Sequence, residues 1–286
     1  MTHVYLHIGI GKTGTTAIQH ALHLQRDQLL EDGVLYPKSG VAYEAHHSLA
    51  PLNVKAIPKP VKEMYETLRS EIEEANPDKV LLSSEFFCFV NPNVVAEIAA
   101  YMKDYTTTVI FFVREQVDLI ESAYKQELKT NPVFTSTFDE YIQRVVKAFD
   151  FNERINPWVE NFGRENVKAL LYRSKKGYRS DPLKLLLDET DILLSADTDL
   201  SELNPSIPSC LAETVRLVNK TGISHDDKRA IVQEIMKSYP LIGPGRKEGL
   251  VSPRMAKFLR KRYEDSNKSF GDKYLDEKDA ADLMSG

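Results

Sequence analysis

The segment His7-Ile8-Gly9-Ile10-Gly11-Lys12-Thr13-Gly14-Thr15-Thr16 places three glycines, a lysine and three threonines within ten residues. A β-like run, Val4 to Ile8, leads straight into it, and a helical pattern leaves it from Thr13. The first-turn N–H groups of such a helix have no partner inside the helix, and with the helix dipole they form an anion site. Glycines let the backbone approach the anion and adopt positive φ. Lys12 adds a mobile cation, and Thr15 and Thr16 add hydroxyl donors. The predicted chemistry is the binding of a phosphate or sulfate group, since a plain tight turn has no use for this residue set.

Other positions carry chemistry at strand ends. Arg114 follows the apolar run Thr107 to Val113, and a guanidinium there can make forked, charge-assisted contacts to a phosphate. Its competing role is a surface ion pair with Glu115 or Glu121. Glu85 follows the run Val80 to Ser84. Open α/β sheets place their sites past the C-terminal ends of strands, and a carboxylate there suits a general base. Its competing role is a helix-start carboxylate or a partner for Arg114. His46 and His47 lie in an irregular stretch and titrate near neutral pH, which makes them alternative bases. Phe86, Phe87 and Phe89 either line an acceptor pocket or, as aromatics after a buried strand commonly do, fill the core.

Three anion-binding motifs compete for the glycine segment. Gly11-Lys12-Thr13 fits the end of the P-loop pattern, but its first glycine would fall on Leu6. No strand ends in the aspartate that would help hold magnesium. Gly9, Gly11 and Gly14 match a dinucleotide fingerprint, yet the acidic residue expected after the second strand is missing, because Glu31 and Asp32 precede that strand. The third match is Lys12-Thr13-Gly14-Thr15-Thr16 directly after a first strand. It resembles the 5′-phosphosulfate loop of sulfotransferases that use 3′-phosphoadenosine 5′-phosphosulfate (PAPS), of the bacterial or carbohydrate type.

That resemblance implies a set of roles. Lys12, Gly14, Thr15 and Thr16, with Gly11 and Thr13 in the same loop, would hold the 5′-phosphate and sulfate. Arg114 and Ser122, eight positions on, resemble the family's 3′-phosphate motif. Gly245-Arg246-Lys247-Glu248-Gly249 resembles its late basic loop, with Arg246 and Lys247 as further 3′-phosphate contacts. Ser83-Ser84-Glu85 resembles the acidic base segment of carbohydrate-type members. Arg173 stands where the family has a glutamate before a downstream Asp181-Pro182, so no role carries over there. The implied reaction is in-line sulfuryl transfer from PAPS to a hydroxyl or amine of a small-molecule or glycan acceptor. PAPS is the co-substrate and no metal is expected; Lys12 would stabilise the leaving oxygen. The alternatives are a P-loop-type kinase or nucleotide phosphotransferase, a non-catalytic nucleotide-binding protein and, behind these, a dehydrogenase.

The elements that must position these residues alternate between strand and helix. Short apolar runs at Val4–Ile8, Val34–Tyr36, Val80–Ser84, Thr107–Val113 and Val167–Tyr172 read as strands. Helical patterns cover Thr13–Leu30, Val61–Ala75, a stretch from Asn91, Gln116–Lys129, Thr137–Ala148 and Asn152–Phe162, and the chain is helical with loops from about Asp181. Ser39 to Pro60 is long and irregular. The pattern predicts an α/β fold with a mainly parallel sheet covered on both faces. The family resemblance refines this to a P-loop-like three-layer fold with a helical C-terminal part. One domain is expected over residues 1–286, with a polar tail at 276–286 expected to fray.

Composition narrows the classes further. With 37 basic and 42 acidic residues the formal charge is −5, so no overall basic field points to nucleic acid. Cys88 and Cys210 are far apart and form no metal-ligand spacing or disulfide framework. The N-terminal stretch lacks the pattern of a signal peptide. No apolar run reaches the roughly 18–20 residues that span a bilayer. A cytoplasmic protein is expected.

Overall fold

The apolar runs form five strands: β1 (His3–His7), β2 (Val34–Leu35), β3 (Lys79–Ser83), β4 (Thr106–Val113) and β5 (Val167–Leu171). Around them the computed structural model has helices α1 (Thr15–Leu24), α2 (Arg26–Glu31), α3 (Lys59–Ala75), α4 (Pro92–Met102), α5 (Gln116–Thr130), α6 (Phe138–Val145), α7 (Phe151–Phe162), α8 (Pro182–Thr190), α9 (Ala212–Lys220), α10 (His225–Ile242), α11 (Pro253–Tyr274) and α12 (Glu277–Ser285). The structure describes residues 1–174, 179–194, 206–242 and 249–285. They divide between two compact units, one within Met1–Arg114, Phe151–Leu203 and Ser266–Leu283, the other within Glu115–Asp150, Asn204–Asp265 and Met284–Gly286.

The first unit holds the sheet. Its strand order is β2-β3-β1-β4-β5, and every pairing is parallel. Parallel strands are covered on both faces, so they read as continuous apolar runs. Leu6, Leu82 and the whole of Val109 to Val113 are fully buried. On one face Tyr5, Leu81, Ile110 and Phe112 pack with Ile18 and Leu22 of α1, Leu29 of α2 and Leu186 of α8. On the other, Phe111 meets Phe151 of α7 and Phe270 of α11, with ring centroids 6.0 and 6.4 Å away. Each such side chain contributes about 1.5–3 kcal/mol by leaving water. The chain is thus an α/β protein with a central parallel sheet flanked by helices.

Two sequence expectations change. The helix expected from Thr13 to Leu30 is two helices meeting at Gln25. Arg26, the first residue of α2, gives its Nε–H to the Tyr36 carbonyl (2.9 Å), tying the break to the exit of β2. The tail expected to fray is instead α12. Asp276 Oδ1 accepts the Asp279 N–H at its start, Leu283 is buried, and Arg173 pairs with Asp279 and Asp282.

The second unit is helical. Tyr124 of α5 packs with Phe134, Phe138 and Tyr141. Helix α6 starts on a capping box in which Thr137 and Glu140 satisfy each other's backbone N–H. Asn219 of α9 donates its side-chain amide to the carbonyls of Leu128 and Phe134. Among the described residues no helix is long and apolar enough to cross a membrane.

Candidate functional site

The glycine segment is the exit of β1, and its neighbours hold it on both sides. The N–H of Ile8 reaches Ile110 O and that of Ile10 reaches Phe112 O, each at 2.9 Å, while the Phe112 N–H returns to Gly9 O. On the β3 side the Cys88 N–H reaches Ile8 O at 3.2 Å. Gly9 has φ +94°, and a Cβ there would stand 2.8 Å from Glu85 Cα, so only glycine fits. Lys12 also has positive φ, +68°.

Gly14 caps α1 in the left-handed conformation and contributes no side-chain cap. The first helical bond runs from the Ala17 N–H to Gly14 O (3.0 Å), so the N–H groups of Thr15 and Thr16 stand ahead of the ladder. N–H groups at such a helix start, with the helix dipole, can hold an anion. The three threonines divide their work. Thr13 is fully buried and donates its hydroxyl to Ile10 O at 2.5 Å, which stiffens the loop. Thr15 is buried and Thr16 is exposed.

Arg114 follows β4, the strand beside β1. Its Nη1 donates to Lys12 O at 2.8 Å, and its guanidinium lies 5.7 Å from the Tyr172 ring centroid. It therefore braces the glycine loop from the neighbouring strand end. Ser122 is half-buried on α5 of the second unit. Arg246 and Lys247 lie outside the described residues.

Glu85 follows β3, the strand on the other side of β1. It is half-buried and backs onto the loop, since Cβ atoms at Gly9 and Gly11 would meet its side chain at 3.0 and 3.6 Å. Its Oε2 accepts a hydrogen bond from Gln19 Nε2 at 3.0 Å. The ends of three adjacent strands, β3, β1 and β4, thus carry a carboxylate, the glycine loop and a guanidinium.

The two histidines of the irregular segment differ sharply. His46 is fully buried; its Nδ1 accepts the Ser83 N–H at 3.1 Å and its Nε2 donates to Pro37 O at 3.1 Å. Burial pushes it down to about 4. With both nitrogens engaged it ties the irregular segment to β3, and it has no nitrogen left for an acceptor. His47 is half-buried, with Nδ1 bonded to Ser84 Oγ at 2.8 Å and its ring stacked on Phe86 at 4.2 Å. Burial lowers its pKa, opposed by the Glu85 carboxylate. Of the three phenylalanines, Phe86 is exposed. Phe87 packs edge-on to Trp158, and Phe89 lies under the Arg154 guanidinium.

Sequence reasoning missed Gln19. Its signal was a polar side chain four residues after Thr15, on the apolar stripe of Ile18 and Leu22. Among the described residues no group of three or more His, Cys, Asp or Glu side chains is placed to hold a metal ion.

No protein-family model matches the chain. A curated, uncharacterised protein of Archaeoglobus fulgidus is 22% identical over 194 residues, which is 67% of this chain. The chain spans about half the length of that relative, 52%. Among solved structures, mouse sulfotransferase SULT7A1 complexed with PAP aligns with a TM-score of 0.40 and 13% identity, over 99% of this chain and 88% of that one.

Proposed function

We propose that the protein is a sulfotransferase that moves a sulfuryl group from PAPS to a hydroxyl or amine of an acceptor, with a saccharide as the favoured acceptor class. The observation that carries this reading is the carboxylate of Glu85 backed onto the glycine loop at the N-terminus of α1. It sets a proton acceptor beside an anion cradle.

The residues suit the roles. The N–H groups ahead of α1 and the exposed Thr16 hydroxyl hold the 5′-phosphosulfate. Lys12 stabilises charge on the leaving phosphate oxygen. Sulfuryl transfer is close in kind to phosphoryl transfer, where positioning and electrostatics supply most of the rate. Arg114 binds the 3′-phosphate while its Nη1 braces the loop. For Ser122, Arg246 and Lys247, a 3′-phosphate role rests on the sequence resemblance alone. Glu85 takes the acceptor's proton. His47 interacts electrostatically with Glu85 and stands beside the exposed Phe86 ring, so it orients the acceptor and is the second choice of base.

The test is turnover of PAPS in chelator-treated buffer with a panel of p-nitrophenyl glycosides, read as release of the desulfated nucleotide. Turnover that persists in chelator and falls about 10²–10⁴-fold in Glu85→Gln supports the reading. Magnesium-dependent transfer from ATP would replace it with a phosphotransferase.

A further inference from the structure

We propose that Gln19 is the positioning residue for the base: it grips one carboxylate oxygen of Glu85 and leaves the other for the acceptor's proton. This deepens the sulfotransferase reading and rests on it. Gln19 lies four residues after Thr15 on α1. The helix whose N-terminus cradles the anion therefore also carries the group that holds the base. Donor and base are set by one rigid element.

The side chain is only 4% exposed, on a stripe shared with Ile18 and Leu22, which are fully buried. A buried amide is unfavourable unless it is paired. Here Nε2 donates to Glu85 Oε2 at 3.0 Å and to Ser83 Oγ at 3.3 Å. An ionised carboxylate only accepts, so the NH₂ end must be the one that faces it, which fixes the amide's orientation. Ser83 Oγ is bonded in turn to His7 Nδ1 at 2.8 Å. His7 and Ser83 are direct partners across β1 and β3, and both are fully buried. Burial pushes His7 down to about 3, so it stays neutral. The far end of the chain His7–Ser83–Gln19–Glu85 is thus fixed in the sheet.

With Oε2 held by Gln19 and the side chain backed by Gly9 and Gly11, Oε1 is the oxygen turned to an acceptor. The function of Gln19 is pre-organisation. A misplacement of the base by about 1 Å is enough for a loss on the order of 10²-fold.

A double-mutant cycle tests this, using Gln19→Leu, Glu85→Gln and the pair. Each protein is assayed for PAPS turnover with p-nitrophenyl glycosides, and for calorimetric binding of 3′-phosphoadenosine 5′-phosphate. Gln19→Leu is expected to lower kcat by about 10–100-fold, with nucleotide affinity and KM held within about twofold. In the Glu85→Gln background it is expected to change nothing further, because its effect passes through Glu85. Gln19→Met keeps the side-chain length and removes the donor, so it is expected to lose turnover too; it serves if the leucine variant does not fold. Full activity in Gln19→Leu, or an equal loss with and without Glu85, overturns the proposal and leaves the base assignment standing. Full activity in Glu85→Gln overturns the base assignment and the role of Gln19 with it.

Discussion

Two fully buried, neutral histidines give the fold an acid sensitivity that can be worked out in advance. Burial holds His46 at about 4 and His7 at about 3, both below the ordinary 6.5. A group whose folded pKa is depressed contributes fully above its unfolded pKa, and that contribution is lost as pH falls toward the folded value. For both residues the window opens below about pH 6.5 and runs to about pH 4 for His46 and about pH 3 for His7. At about pH 5 each histidine is some 1.5 units into the window, worth about 2 kcal/mol. The pair together removes about 4 kcal/mol, a large share of a typical 5–15 kcal/mol stability. The perturbation is His46→Gln, which cannot protonate. Urea unfolding at about pH 7.5 and about pH 5 measures the stability difference for each protein. The variant starts less stable, since it loses the bonds to Ser83 and Pro37. Its drop between the two pH values is expected to be smaller than wild type's by about 2 kcal/mol. Parallel drops would refute the reasoning, because His46 would then protonate as easily folded as unfolded.

Two further outcomes follow from the geometry. Gly9→Ala puts a Cβ against Glu85 Cα at a positive φ, so at least about 1–2 kcal/mol of stability is lost to the backbone strain alone. PAPS turnover falls with it; unchanged turnover would mean that the loop and Glu85 are not in register for catalysis. Arg173→Met leaves Asp279 and Asp282 without their half-buried guanidinium, a loss of about 2 kcal/mol for charged hydrogen bonds. Hydrogen exchange should then show protection lost across α12 first, and unchanged protection there would show that Leu283 alone docks the helix.

The sheet and the position of the glycine loop at the exit of β1 were legible because their signals are local. The Val109–Val113 part of β4 is apolar because it is buried on both faces, and a glycine loop with a lysine and threonines needs its residues contiguous in sequence. The rest depends on strand order. Gln19 and Glu85 are 66 residues apart and meet only because β3 lies beside β1. His46 and His47 are adjacent and chemically alike, yet a 3₁₀ turn beginning at His47 sends one ring inward and leaves the other beside Phe86. Composition made the C-terminal residues look like a solvated tail. What folds them is a remote partner, Arg173, at the end of β5, and no local pattern announces it.

A sulfotransferase of this design needs the loop after β1 and the guanidinium after β4 to bind the donor nucleotide. Its most direct test is calorimetric titration of 3′-phosphoadenosine 5′-phosphate in chelator-treated buffer, with ATP and NAD as comparators. Micromolar or tighter binding is expected, lost in Arg114→Ala, a variant whose unliganded melting is checked alongside because Arg114 also braces Lys12 O. No binding of this nucleotide, with magnesium-dependent binding of ATP instead, would contradict it.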